Sequence, residues 1–283
     1  MTRIVLPPTT GRRAADVAAG RVPAAALAPA STVVLVRDAP GGGIEAYLQR
    51  RHTSLAFAGG KFAFPGGRID PVDAELPREL WHGPGAEEWA KRFDVTDADQ
   101  AHAHVVGVVR ELFEETGVLL AVPDPQATVT RSVTEDDRAA VTDGMGLAEL
   151  LDDIGGRLDA SSLRAWSRWL TPRFERRRFD AWFFVAAVPG AQDPRVATEE
   201  SHEGRWVVPG QALDRMWAGD LTMLPPTWWT LSELAAFSDV ASVMHAPRVA
   251  VRYTVGWTAE GDDTVMVLPD DPRYPGDDPR EGS

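Results

Sequence analysis

The chain has 283 residues, 44% of them apolar, and a formal charge of −13. That apolar content can bury a substantial core, while the acidity argues against an electrostatic hold on nucleic acid or an anionic membrane surface. The absence of cysteine excludes disulfides, thiol nucleophiles and cysteine-ligated zinc, and no run reaches the ~18–20 apolar residues needed to cross a bilayer.

Residues 1–30, rich in Ala, Arg and Pro, read as an N-terminal extension, either a loose lead-in or a short helix. Within it "VPAAALAPA" (22–30) imitates the small-residue end of a secretion signal, but two prolines spoil the apolar stretch and the expected location is the cytoplasm. "STVVLVRD" (31–38) and "GIEAYLQRR" (43–51) are β-branched or alternating runs around "APGGG", the pattern of a hairpin. The glycine-rich "AGGKFAFPGGRID" (58–70) and a polar stretch with Trp81 and Trp89 lead to a helix over 100–116, which Gly117 closes at its C′ position. "MGLAELLDDIGG" and "SSLRAWSRWL" read as helices, 179–188 and 204–210 as strands, and "PGQALDRMWAGD" and "PPTWWTLSELAAFS" as helices, the latter with prolines suited to a first turn. A β segment at "RVAVRYTVGW" follows, and the tail 258–283 is acidic and proline-rich. Strands mixed with helices predict an α/β fold with a mixed sheet between helices.

The helix at 100–116 poses the chemical question. Val105, Val108, Val109 and Leu112 collect on one side, while Glu111, Glu114 and Glu115 fall within an arc of roughly 100° on another. Glu111 and Glu115 are a like-charge pair at i,i+4, which costs a few tenths of a kcal/mol on a bare helix. A solvated face is one reading. The other is a hard divalent cation, Mg²⁺ or Mn²⁺, which prefers carboxylate oxygens and turns the repulsion into coordination. "GGKF" lacks the remaining residues of a phosphate-binding P-loop, there is no nucleophile elbow, and His102 and His104 are about 200° apart on a helix and cannot share a metal there.

"FPGGRID" (64–70) followed by "RELFEETGV" (110–118) resembles the Nudix hydrolases, whose signature is G-x5-E-x7-R-E-U-x-E-E-x-G-U with U aliphatic. The second half matches at every specified position. In the first half the place of the signature glutamate is Asp73, and 36 residues separate it from Arg110 where the family has seven. Asp73 is either a shorter substitute ligand or a turn residue. The interrupted box resembles the peroxisomal-type coenzyme A diphosphatases in particular, as do "LQRRHTSLAFAGGKFAFPGG", "TPRFERRRFDAWFFVAAVP" and "ALDRMWAGDLTMLPPTWWTLSEL". Arg51, Gly60, Phe64, Pro65, Gly66 and Gly67 fit that branch, whereas Ala56 stands where it has a second arginine.

The resemblance implies an α/β/α sandwich with a mixed sheet over 31–257, with an insertion at 74–102 as a candidate lid and extra C-terminal helices. It implies metal-dependent hydrolysis of a nucleoside diphosphate derivative, with coenzyme A or acyl-coenzyme A as best substrate. The alternatives are ADP-ribose, NAD(H) or dinucleoside polyphosphates, and a non-catalytic nucleotide-binding module. Mg²⁺ or Mn²⁺ would be held by Glu111, Glu114, Glu115 and the Gly66 carbonyl, with Asp73 as a further candidate. Arg110 would fix the glutamates, and Glu200 or Glu203 would supply the general base. Arg51, Gly60 and Phe64, with Arg176 and Arg178 from a basic island, are candidates for substrate binding. A homodimer is left open.

Overall fold

The computed structural model describes residues 4–6, 8–53, 59–190, 192–196, 201–261, 263–268 and 271–274. After α1 (Pro8–Ala18) come β1 (Leu27–Asp38) and β2 (Ile44–Arg51), then β3 (Phe62–Ala63) and β4 (Gly66–Arg68). Two 3-10 turns, Pro71–Glu75 and Arg78–Leu80, lead to β5 (Trp81–His82), α2 (Ala86–Arg92) and the acidic helix α3 (Ala98–Thr116). β6 (Ala121–Pro123), α4 (Glu135–Thr142), α5 (Leu147–Ile154), β7 (Gly156–Asp159), β8 (Leu163–Leu170), β9 (Arg178–Ala187) and β10 (Ser201–Val207) follow. The chain closes with α6 (Pro209–Trp217), α7 (Pro225–Leu234), α8 (Val240–His245), β11 (Val251–Thr254), β12 (Gly256–Glu260) and β13 (Asp263–Val267). The architecture is of the α/β class with extra C-terminal helices, as the sequence leads one to expect. No described helix is long and apolar enough to cross a membrane.

Two compact units divide the chain. The larger takes Ala30–Trp166 and Trp182–Ala250. Its strands run in the order β10–β2–β1–β9–β8, with β3 against β2 and β4 against β1. β1 and β2 pair antiparallel, as the hairpin signal predicts, and so do β2 and β10. Alternation along the strands divides the sheet's side chains between two faces. Val33 and Leu35, Trp182, Phe184 and Ala186, and Leu163 and Ala165 join the α3 side, in a core with Val105, Val108, Val109 and Leu112. On the other face Phe183 meets Phe64 edge to face, and Trp166 donates its Nε1–H to Glu233 of α7 at 2.8 Å.

The segment 161–170 corrects the helical expectation. Leu163, Trp166 and Leu170 suggest a period of 3.6, but Leu163, Ala165, Ser167 and Trp169 are buried with Arg164 and Arg168 less so between them, a period of two that serves a strand buried on both faces. The insertion 74–102, a candidate lid by its sequence, contributes Leu76, Trp89, Ala90 and Phe93 to the core. Trp89 is fully buried against Phe184, Phe93 stacks on Trp182 at 4.3 Å, and β5 pairs with β7 in a second, three-stranded sheet.

The smaller unit takes Met1–Pro29, Ser167–Ala181 and Val251–Ser283. There α1 packs Ala14 and Val17 on Phe174, β12 pairs antiparallel with β13, and β11 runs parallel to the end of β8.

Candidate active site

Helix α3 is fixed at both ends. The Asp97 side chain accepts from the Asp99 and Gln100 amides at its N-terminus, and Gly117 adopts φ +73° to end it. Along its acidic side Arg110, 5% exposed, gathers carboxylates. Its Nε donates to Asp73 Oδ1 at 2.7 Å and Nη2 to Asp73 Oδ2 at 3.0 Å, while Nη1 donates to Glu111 Oε1 at 3.1 Å and Glu114 Oε1 at 2.8 Å. Nη2 also donates to the Arg68 carbonyl at 2.9 Å. Burial works against the guanidinium charge, but the hydrogen bond to Asp73 and the charge of Glu111 outweigh it and raise the Arg110 pKa.

Asp73, 1% exposed, is held in its turn by the Asp70 amide, which donates to Oδ2 at 2.8 Å. Both its oxygens are thus engaged by Arg110 and its own turn. The structure places it as the partner of the arginine rather than as an open ligand.

Glu115 points elsewhere. Its Oε2 accepts from Gln49 Nε2 at 2.5 Å and from the Gly66 amide at 2.8 Å, tying α3 to the sheet. Gly66 has φ +148°, and a Cβ there would lie 2.3 Å from the Ser31 carbonyl, so only glycine fits. At Gly67 a Cβ would lie 2.4 Å from Glu111 Oε2. The glycine pair that the sequence singles out is therefore the surface on which the two glutamates rest.

Among the described residues no three acidic or histidine side chains converge as a preformed metal cage; the carboxylates turn onto Arg110, Gln49 and Gly66. Their chemistry nonetheless suits a hard cation. Asp73, Glu111 and Glu114 share the Arg110 guanidinium, and the further charge of Glu115 close by leaves a surplus of negative charge in a desolvated place. Burial pushes the Glu111 carboxyl up to about 8, against the pull of Arg110 and with help from Glu115 and Glu114. Glu114 is raised for the same first reason. Gln49 Oε1, buried without a hydrogen-bond partner, adds an unsatisfied oxygen acceptor on the residue that binds Glu115. Oxygen donors with excess charge are what Mg²⁺ or Mn²⁺ takes.

The other sequence candidates scatter. Arg51 ends β2 opposite Ser201, and Gly60, at φ +75°, donates to its carbonyl at 3.0 Å. Phe64 is 3% exposed and packed on Phe183, a core ring rather than a substrate surface. Arg178, in the smaller unit, is buried and donates to the Thr171 and Ala25 carbonyls at 3.0 and 2.9 Å, so its fork serves the main chain; Arg176 is exposed in that unit. Glu203 stands on β10 opposite Arg50 and pairs with Arg205. Glu200, and Ala56 of the coenzyme A motif, lie outside the described residues. Gln49 escaped the sequence reading; its one signal there is a neutral polar residue inside an apolar strand.

The family model described as the NUDT19 Nudix domain matches residues 91–234. A Caenorhabditis elegans protein that carries a nudix hydrolase name is 26% identical over 192 residues, 68% of this chain, and the chain spans only 56% of that relative's length. The acyl-coenzyme A diphosphatase NUDT19 of Xenopus laevis is 24% identical over 282 residues, covering 82% of this chain and 72% of its own. Among solved structures, a NUDIX hydrolase from Alicyclobacillus acidocaldarius superposes with a TM-score of 0.68 at 28% identity, over 80% of this chain and 98% of that one.

Proposed function

The chain belongs to the Nudix hydrolases, in the family described by the NUDT19 Nudix domain, and from that premise we propose that it hydrolyses the diphosphate link of coenzyme A or an acyl-coenzyme A, giving 3′,5′-ADP and the (acyl-)4′-phosphopantetheine. The observation that carries this reading is the grip of Arg110 on Asp73, Glu111 and Glu114 while Glu115 is seated on Gly66 and Gln49. Such a cluster is of use to an enzyme that must meet a polyanion, and the curated acyl-coenzyme A diphosphatases supply the substrate class to try.

Glu111, Glu114, Glu115 and the Gly66 carbonyl would hold Mg²⁺ or Mn²⁺, which when bound offsets the charge of the diphosphate oxygens and lowers the pKa of a water. Arg110 orients Glu111 and Glu114, and the desolvated surroundings strengthen each charge contact they make. A carboxylate accepts the proton of the attacking water as its oxygen bonds to phosphorus and the bridging oxygen departs with the other phosphate. Glu200 and Glu203 are the proposed bases, delivered by β10 and the segment before it. Arg51 is proposed to meet the substrate near the start of that strand.

Ala56 keeps a second reading open, in which ADP-ribose, NAD(H) or a dinucleoside polyphosphate is the substrate. Incubation of the protein with each of these and with coenzyme A and acyl-coenzyme A, in Mg²⁺ or Mn²⁺, separates the readings by the nucleotide released. The proposal expects 3′,5′-ADP from coenzyme A and little from Glu115→Gln. No product from any substrate points instead to a nucleotide-binding module, and equal turnover by Glu115→Gln removes the assigned site.

A further inference from the structure

The carboxylates of α3 project from a last turn whose own main chain is held from behind. The Leu112 carbonyl accepts from Thr116 Oγ1 at 2.6 Å and the Phe113 carbonyl from the Gly117 amide at 2.8 Å, the local closures expected at a helix end. The next carbonyls go to other elements. Glu114 O accepts from Arg138 Nε at 2.9 Å, and Thr116 O from the Arg195 amide at 2.9 Å.

Arg138 sits on α4 with its side chain 4% exposed, and its Nη2 reaches the Arg195 carbonyl at 3.2 Å. One guanidinium thus joins α4, the final turn of the acidic helix and the segment that leads toward β10. That segment has a second tie: Gln192 accepts from the Leu119 amide at 2.9 Å and donates to the Leu119 carbonyl at 3.1 Å, as a strand neighbour would. Arg138 lies beside the C-terminal, partly negative end of α3, where a cation is favoured. Burial opposes its charge and the neighbouring Glu135 side chain is mostly exposed, so an ion pair is not the reason for its place. Its fixed fork of donors is what a junction of carbonyls from separate elements requires.

We propose that Arg138 is a positioning residue for the hydrolytic site: by holding the Glu114 carbonyl to the Arg195 segment it sets the rotation of the last turn of α3, and with it the stance of the Glu114 and Glu115 carboxylates. The inference rests on the reading of those carboxylates as cation ligands in a diphosphatase. A displacement of about 1 Å at such a site costs on the order of a hundredfold in rate with little change in substrate affinity.

The test compares wild type, Arg138→Ala and Arg138→Lys for kcat, KM, Mn²⁺ affinity by electron paramagnetic resonance, and circular dichroism. Arg138→Ala is expected to keep its fold, to lose about ten- to a hundredfold in kcat with KM within about twofold, and to bind Mn²⁺ more weakly. Free guanidinium, far below the concentrations that unfold proteins, restores part of its kcat, and Arg138→Lys falls between the two. Wild-type kcat and Mn²⁺ affinity in Arg138→Ala overturn the inference, as does a loss that follows only the unfolded fraction and ignores guanidinium. Should Arg138→Ala not fold, wild-type values in Arg138→Lys overturn it equally. If the wild type turns over no diphosphate, the functional reading fails, and the Mn²⁺ affinities alone decide the role of Arg138.

Discussion

Asp73 and Arg110, far apart in the chain, meet through both oxygens of the carboxylate, at 2.7 and 3.0 Å, with neither side chain more than 6% exposed. Asp73, just ahead of the long insertion, and Arg110, beyond it on α3, are thus brought together in one buried ion pair. Asp73→Asn is expected to cost about 3 kcal/mol, since breaking a buried pair leaves a charge without its partner. Urea unfolding measures it; a loss below about 0.5 kcal/mol, the scale of an ordinary surface change, contradicts the account.

The insertion itself is predicted to behave as core. Trp89→Ala removes a fully buried indole packed on Phe184 and is expected to destabilise the chain by about 3–5 kcal/mol. A mobile cover would lose activity with unchanged stability, so thermal unfolding beside an assay distinguishes the two.

Stability should depend on pH in a direction set by Glu111. Its carboxyl rises from 4.5 to about 8 in the folded chain, so the folded state binds more protons than the unfolded one between those values. In the absence of divalent cations that contribution is full below about 4.5 and is lost as pH climbs through about 8. Tm in chelator is expected to fall between pH 5 and 8, Mn²⁺ to raise it more at pH 8 than at pH 6, and Glu111→Gln to flatten both trends. A Tm that rises with pH in chelator for the wild type but not for Glu111→Gln would reverse the assigned sign.

Gly66→Ala places a methyl on the Ser31 carbonyl at a φ of +148°. The expected loss is about 2–3 kcal/mol from strain and overpacking, together with the seat of Glu115. Unchanged unfolding and turnover in the variant would show that the turn can yield.

Much of this was legible in the residues. The R-E-U-x-E-E spacing on one helix pointed to the family, and the β1–β2 hairpin and Gly117 cap followed from alternation and turn chemistry. What escaped was set by tertiary context. The 161–170 run carries apolar residues that fit both periods, and only burial on both sides of a sheet favours the strand. The role of Asp73 depends on Arg110, 37 positions away, which spacing alone leaves open. Phe64 and Arg178 belong to conspicuous motifs yet serve packing and main-chain carbonyls, and the roles of Gln49 and Arg138 are hidden in the sequence because what they hold is brought to them by the fold.

The proposed hydrolysis requires the α3 carboxylates to chelate a hard cation that grips a diphosphate. Crystals grown with Mn²⁺ and a non-hydrolysable nucleoside diphosphate derivative measure it directly, by anomalous scattering at the manganese edge. The account predicts a peak beside Glu111, Glu114 and Glu115, in contact with the ligand's phosphates. Bound nucleotide with no manganese there, or manganese held only elsewhere on the chain, would contradict it.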